Sequence, residues 1–499
     1  MVLTKRQAGI LLHISSLPGK YGCGTFGAEA YHFVDFLASA NLKIWQVLPL
    51  VPTNYGDSPY QSFSSNAINY YFIDLDILRQ KGLLKLSDYK DVKLGYDELK
   101  VDYSLLFNNK ISILRQAFKK FKTNDPDFIK FVRKGAYKDF ALFMTLKVMH
   151  NFLAWDTWEE KYQNYSKDLE KEVIHNHKDE YLFWQWTQFE ALDEWNKLHT
   201  YANSKDIKIM GDMPLYVAYD SVEVWKYKEM FLLDENKRPT LVAGCPPDCF
   251  TEGGQLWGNP IYNWDYLRQT GYKWWNERIK NAFKLYDILR IDHFRGFDKY
   301  YAIPYGDKNA KGGHWQDGPK FDFFKDKLKL NIVAEDLGFI DEGVRNLMAK
   351  TKYPGMKVLE FAFDGNKDNE HKPSNYTDNF ICYTGTHDNM PLYQYIVDLD
   401  EEGFNTFFKE LKEECKLLNI KVTSKDPKYL CHKTVELAFA SKANTCIIPM
   451  QDLLVQDGST RMNFPSSVST NNWSYRITKK MLSKGLANKI RELTLKYKR

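Results

Sequence analysis

The sequence predicts an α/β protein, a (β/α)8 TIM barrel, with a large mostly helical insertion between strands 2 and 3 and further loop insertions at the C-terminal face. Three observations predict it. Eight short β-rich runs are spread through the 499 residues. Amphipathic or polar segments of helical length separate most of them. The runs also end in polar or acidic residues, and barrels of this kind place their sites at the C-terminal ends of the strands.

The eight runs are 8–16, 43–50, 207–217, 288–294, 331–338, 356–363, 379–388 and 445–454. The gap from 51 to 206 is about 155 residues, far longer than one crossover helix. Segments 110–121, 127–150 and 181–203 within it read as helices, the last with Leu182, Trp186, Phe189 and Leu192 at helical spacing. This marks residues 80–205 as an insertion subdomain on the rim, its aromatic stripe read as packing. A second gap, 218–287, holds a Gly- and Pro-rich stretch at 243–262 that reads as an active-site loop. There is no internal repeat, so 1–499 reads as a single catalytic barrel domain. The basic tail at 493–499 reads as a solvated helix end.

Composition narrows the function. A net charge of +5 among 133 charged side chains is too slight to imply a nucleic-acid partner. Aromatic residues at 15% supply rings that can stack on sugar faces, although most such rings fill cores. Seven scattered cysteines fit reduced thiols in a cytoplasmic protein. Lys5 and Arg6 precede a short apolar run at 8–12, but no small-residue cleavage site follows and no signal peptide is expected. No run approaches the roughly 18 apolar residues of a membrane span.

Two motifs are decoys. Gly22-x-Gly24-x-x-Gly27 matches a dinucleotide fingerprint, yet its strand ends too early and the next one closes without an acid. Cys245-Pro-Pro-Asp-Cys249 has no second Cys/His pair nearby to complete a zinc site.

The chemistry-bearing signal is acidic. Asp212, Asp292, Glu335 and Asp388 fall at the ends of the third, fourth, fifth and seventh runs, while Asp336 reads as a turn or cap residue. In the fourth run, Arg290 and Asp292 are two apart and point to one side of a strand. Alone, they would be a surface ion pair of little worth. In a barrel, strands four and five are neighbours about 4.8 Å apart. Asp292 and Glu335 can then lie about 5–5.5 Å apart, the separation of a retaining glycosidase pair. Arg290 would keep Asp292 anionic as nucleophile, and that anion would raise Glu335 so that it holds a proton. Asp388 would clamp sugar hydroxyls, with His293 and His387 as hydrogen-bonding partners.

Arg290-Ile-Asp-His293, Ala334-Glu-Asp336 and Thr386-His-Asp-Asn389 resemble the catalytic motifs of the α-amylase clan. The segments 56–63 (GDSPYQSF), 211–216 (GDMPLY), 254–260 (GQLWGNP), 354–359 (PGMKVL) and 448–452 (IPMQD) resemble those of 4-α-glucanotransferases, also called amylomaltases or disproportionating enzymes, family 77 of the glycoside hydrolases. The likeness runs in family order from about residue 9 to 476. It implies Asp292 as nucleophile, Glu335 as acid/base and Asp388 as transition-state stabiliser. It further implies Ser58, Tyr60, Asp212, Gln255, Trp257, Arg290, His293, His387 and Asn463 as lining the donor and acceptor subsites. Maltooligosaccharides, glucose or linear α-glucans would be donor and acceptor, with no metal or cofactor. Departures border the groove: 66–71 reads NAINYY, Met390-Pro391 follows the third acid's motif, and Phe464 and Ser466 stand where Thr and Gly are common. They bear on chain-length preference rather than on the reaction. Two other readings stand beside transfer: an α-1,4-glucan hydrolase using the same acids with water, and a glycan-binding barrel. The intact acids argue against the last.

Overall fold

The computed structural model describes residues 2–247 and 252–499. Cys249 of the second decoy lies outside the described residues. The eight expected strands are all present: β1 (Gln7–Leu11), β2 (Ile44–Gln46), β3 (Lys208–Met213), β4 (Ile288–Ile291), β5 (Ile332–Ala334), β6 (Gly355–Val358), β7 (Phe380–Tyr383) and β8 (Thr445–Pro449). They pair in parallel in the order β6-β7-β8-β1-β2-β3-β4-β5. Their residues are mostly apolar and nearly all buried, as a sheet inside a helical ring requires: Ile288, Leu289 and Ile291 are wholly covered.

The cylinder closes between β5 and β6 with few bonds. Ala334 N–H donates to the Pro354 carbonyl at 3.0 Å, and Met356 N–H donates to Asp336 Oδ1 at 2.6 Å. Asp336 is therefore a staple across the seam rather than a helix cap.

The strands stop sooner than the sequence suggests. β7 ends at Tyr383, so Asp388 rides on the following loop and not on a strand. Apolar residues beyond the strand ends, such as Leu48 and Leu359, are buried by packing without extending the ladder.

The 51–206 segment is rich in helix, including Ile111–Lys120, Pro126–Lys134, Lys138–Met149, Lys167–Asn176 and the long Lys178–Ser204. The single helix expected over 127–150 is broken at Gly135, whose φ of 68° is left-handed and ends the first piece. Trp186 and Phe189 pack on Phe121, as the stripe predicted.

The stretch 243–262 is not simply a loop. Leu241–Cys245 and Gln255–Pro260 pair antiparallel and join Lys299–Pro304 and His314–Asp317 in a second, four-stranded sheet. Gly258 has φ 76°, and the register shifts between Val242 and Gly244, which is how a Gly- and Pro-rich run can still form a strand. The basic tail is also corrected. Arg499 is buried and donates to the carbonyls of Gln7, Ala443 and Ser441 under the barrel floor.

Candidate functional site

Arg290 is the centre of the cluster. It is the third residue of β4, buried, and its side chain points into the barrel mouth. One Nη donates to Asp212 Oδ2 at 2.6 Å and the other lies 3.0 Å from Asp292 Oδ1. Asp212, inside β3, also accepts the Tyr60 hydroxyl at 2.8 Å, and its Oδ1 is buried with no partner among the described residues. The guanidinium therefore serves two carboxylates from neighbouring strands.

Glu335 follows β5 directly. Its Oε2 accepts the His293 N–H and its Oε1 the Leu337 N–H, each at 2.7 Å. His293 can turn its N–H that way because its backbone is left-handed, φ 52°. Thus the acid of strand five is bonded to the residue next to Asp292.

Burial raises both carboxyls, Asp292 and Glu335, above their ordinary ranges, while Arg290 opposes the shift in each. Asp212, Glu335 and Asp388 add to the rise at Asp292. Only Asp292 of the two touches the guanidinium. The Leu337 and His293 N–H groups oppose the rise at Glu335 as well, so each acid has its own support for the charged form: a cation at Asp292 and two N–H donors at Glu335.

The loop after β7 brings the third acid. Asp388 Oδ1 accepts Asn463 Nδ2 at 2.7 Å and lies 3.5 Å from His387 Nε2. Its main-chain carbonyl accepts Arg461 at 2.5 Å. The Tyr60 ring stacks on His387, centroids 5.2 Å apart and planes 9° off parallel. That stack links the Asp388 side to the Asp212 side. Burial holds His387 below its usual range and pushes His293 down to about 3, so both rings are neutral near pH 7.

Gln255 and Trp257 arrive on the second sheet. The Trp257 indole N–H donates to Gln255 Oε1 at 3.0 Å, and its ring meets His293 edge-on at 4.8 Å. Ser58 is different. Its hydroxyl accepts the Tyr60 N–H at 3.2 Å, a turn contact that shapes the Tyr60 loop rather than reaching the carboxylates.

A partly open cavity of about 380 Å³ lies beside the cluster, bounded by Tyr137 of the insertion, Tyr286, Tyr216, Tyr60 and Asp212. Asp292, Glu335 and Asp388 are not among its walls, so the chemistry sits at the mouth and not in this void. No group of three or more His, Cys, Asp or Glu among the described residues could hold a metal ion.

The model of the 4-alpha-glucanotransferase family matches residues 12–482. The chain belongs to this family. The 4-alpha-glucanotransferase of Clostridium butyricum is 44% identical over 503 residues, 98% of this chain and 100% of the relative. That of Thermus thermophilus is 39% identical and covers 95% of each chain. The amylomaltase from Streptococcus agalactiae in complex with acarbose superposes with a TM-score of 0.93 over 99% of this chain and 100% of that one, at 39% identity. The amylomaltase of Corynebacterium glutamicum, 15% identical, shares the fold with a TM-score of 0.77 over 99% of this chain and 74% of that one. The resemblance read from the motifs is thereby established over nearly the whole chain, and the protein is a glucanotransferase rather than a hydrolase or a binding barrel.

Sequence reasoning missed three groups beside the site. Glu360 and Asp452 lie buried behind the Asp388 loop, and Trp473 packs on both Tyr60 and His387. Glu360 was findable, because it falls in the sixth run just as other acids end theirs. Trp473 carried no motif or period.

Proposed function

We propose that the chain transfers an α-1,4-glucan segment by double displacement, with Asp292 as nucleophile, Glu335 as acid/base and Asp388 as transition-state clamp. The observation that carries this is the asymmetry of the two central acids. Asp292 is ion-paired to Arg290, whereas Glu335 is held by two N–H groups and touches no cation. Asp292 attacks the anomeric carbon, and Glu335 gives its proton to the departing glycosidic oxygen. The sugar is then an ester of Asp292. The 4-hydroxyl of an acceptor next attacks the same carbon, Glu335 takes the hydroxyl proton, and Asp292 leaves as carboxylate. Two inversions retain configuration.

The partially exposed Asp388, Asp212 Oδ1 and the neutral His293 and His387 are placed to bind sugar hydroxyls, and Tyr60, Gln255, Trp257 and Asn463 to shape the subsites around them. Ser58 acts there through the turn it holds. Linear maltooligosaccharides and glucose suit such a site as donor and acceptor. No helix among the described residues is long and apolar enough to cross a membrane.

Transfer and hydrolysis share these acids, and they separate on whether an acceptor sugar or water meets the intermediate. Maltotriose decides the matter. The expected products are glucose and a ladder of longer maltooligosaccharides with little gain in reducing ends. A steady rise in reducing ends would show water meeting the intermediate ahead of the acceptor, and no products would overturn the roles given to the three acids.

A further inference from the structure

We propose that Glu360 and Asp452 are positioning residues for Asp388: two buried carboxyl groups that fix, from behind, the loop on which it rides. The inference rests on the role given to Asp388 above and adds the means by which it is held.

The loop 384–391 has two staples. Asp452 grips its ends, accepting the Thr384 hydroxyl on Oδ2 at 2.5 Å and the Leu392 N–H on Oδ1 at 2.8 Å. Glu360 sits at its middle. Its N–H donates to the Thr384 carbonyl at 3.1 Å, and its side chain faces Asn389 and Gly385. Asn389 Oδ1 accepts both the N–H and the hydroxyl of Thr386, at 2.9 and 2.8 Å, and the Thr386 hydroxyl in turn accepts the Asp388 N–H at 3.2 Å. A continuous set of contacts therefore runs from Glu360 through Asn389 and Thr386 to Asp388. Glu360 Oε2 is buried with no hydrogen-bond partner among the described residues, which leaves the Asn389 side chain as the polar contact of this carboxyl with the loop.

The two carboxyls stay compatible by holding one negative charge. Burial, with Asp452 adding to it, pushes Glu360 up to about 8, while Asp452 stands at about 6 because its two donors offset part of its burial. Arg461 and Tyr395 also face Glu360, and Cys431 and Tyr475 face Asp452. Burial raises the tyrosines and the cysteine above their ordinary ranges, which leaves Glu360 and Asp452 as the groups that change charge near neutrality.

The test is a kcat-against-KM split on maltotriose. Because Asp388 is asked to act in the transition state, a displacement of about 1 Å costs roughly 100-fold in rate. Glu360→Ala is expected to lower kcat roughly 10- to 100-fold with KM moved less than about threefold, and Glu360→Gln, of the same shape, to restore kcat to within about threefold of the parent. Gly385→Ala reaches the same contact from the other side, since its methyl would lie 3.3 Å from both Glu360 Oε2 and Asn389 Cβ. It is expected to lose kcat selectively as well, and it keeps the proposal open to failure should Glu360→Ala not fold. Normal kcat in the two alanine variants, or equal losses for Ala and Gln at position 360, would overturn the proposal. Asp388→Asn, run alongside, separates the causes. If it is active, the role of Asp388 itself has failed; if it is inactive while the alanine variants turn over normally, only the positioning pair has.

Discussion

The two halves of the barrel rim hold their carboxylates by different physics. On the β3–β5 half, one buried guanidinium is shared by Asp212 and Asp292, and the ion pairs are 2.6 and 3.0 Å long. On the β6–β8 half, the Asp388 and Asp452 carboxylates are held chiefly by neutral donors: Asn463 on the first, the Thr384 hydroxyl and the Leu392 N–H on the second. Exposure differs too, with the Asp388 side chain 45% accessible and that of Asp292 28%. The ion-paired half fits the nucleophile role proposed for Asp292, since the guanidinium opposes the rise that burial gives its carboxyl. The other half holds its acid through the loop that carries it, whose one cationic contact among the described residues, Arg461, reaches the Asp388 main-chain carbonyl and not its carboxylate.

The largest expected effect falls on the ion-paired half. Asp292→Asn and Glu335→Gln should each lower maltotriose turnover by on the order of 10⁴-fold with an unchanged circular dichroism spectrum. Near-normal turnover in either would remove that residue from the chemistry. Arg290→Met comes next. Without the cation, the buried Asp212 keeps only the Tyr60 hydroxyl and the partly exposed Asp292 loses its ion pair, and a loss of about 3 kcal/mol in denaturant unfolding is expected together with loss of activity. Were this variant as stable as the parent, the contrast between the halves would collapse. Tyr60→Phe removes one hydrogen bond to a charged group, worth about 1.5–3 kcal/mol, so kcat should fall roughly 10- to 100-fold. Glu360→Gln sharpens the neutral half through pH. A carboxyl that keeps its proton to about pH 8 in the folded chain, against an ordinary value of 4.5, favours the fold at acid pH and loses that contribution between about 4.5 and 8. The melting temperature of the variant should therefore match the parent below about pH 4.5, gain on it across that window and keep a constant lead above about 8. A constant difference across pH would mean that Glu360 does not titrate there. Ser58→Ala, which removes only a turn contact, should leave kcat and KM within about twofold.

Much of this was legible. The eight strands follow from apolar runs that must be buried on both faces, and the acids at their ends mark the mouth. Arg290 and Asp292 were legible as a pair because side chains two apart on a strand share a side, and the structure indeed joins them. The second partner of Arg290, Asp212, was identified as a site residue but not as its ion-pair partner, since register between β3 and β4 is not written in either strand alone. Glu360 and Asp452 lie in the sixth and eighth runs, the latter inside the 448–452 segment, but neither was read as a site residue because only the fold shows them packed behind the Asp388 loop. The second sheet was hidden by Gly258 and Pro260, which locally speak for a loop and are overruled by pairing with Lys299–Pro304 through Leu241–Cys245.

The pairing of β1 with β8 joins Gln7 to Thr445, some 440 residues apart. During synthesis at about 5–20 residues per second, the first strand emerges from the ribosome roughly 20–90 seconds before its partner. One of its edges, lined by unbonded N–H and C=O groups beside Ile10, has nothing native to meet for that whole interval. Anything that slows translation late in the message, or raises the concentration of nascent chains, lengthens the time in which that edge can find the wrong neighbour.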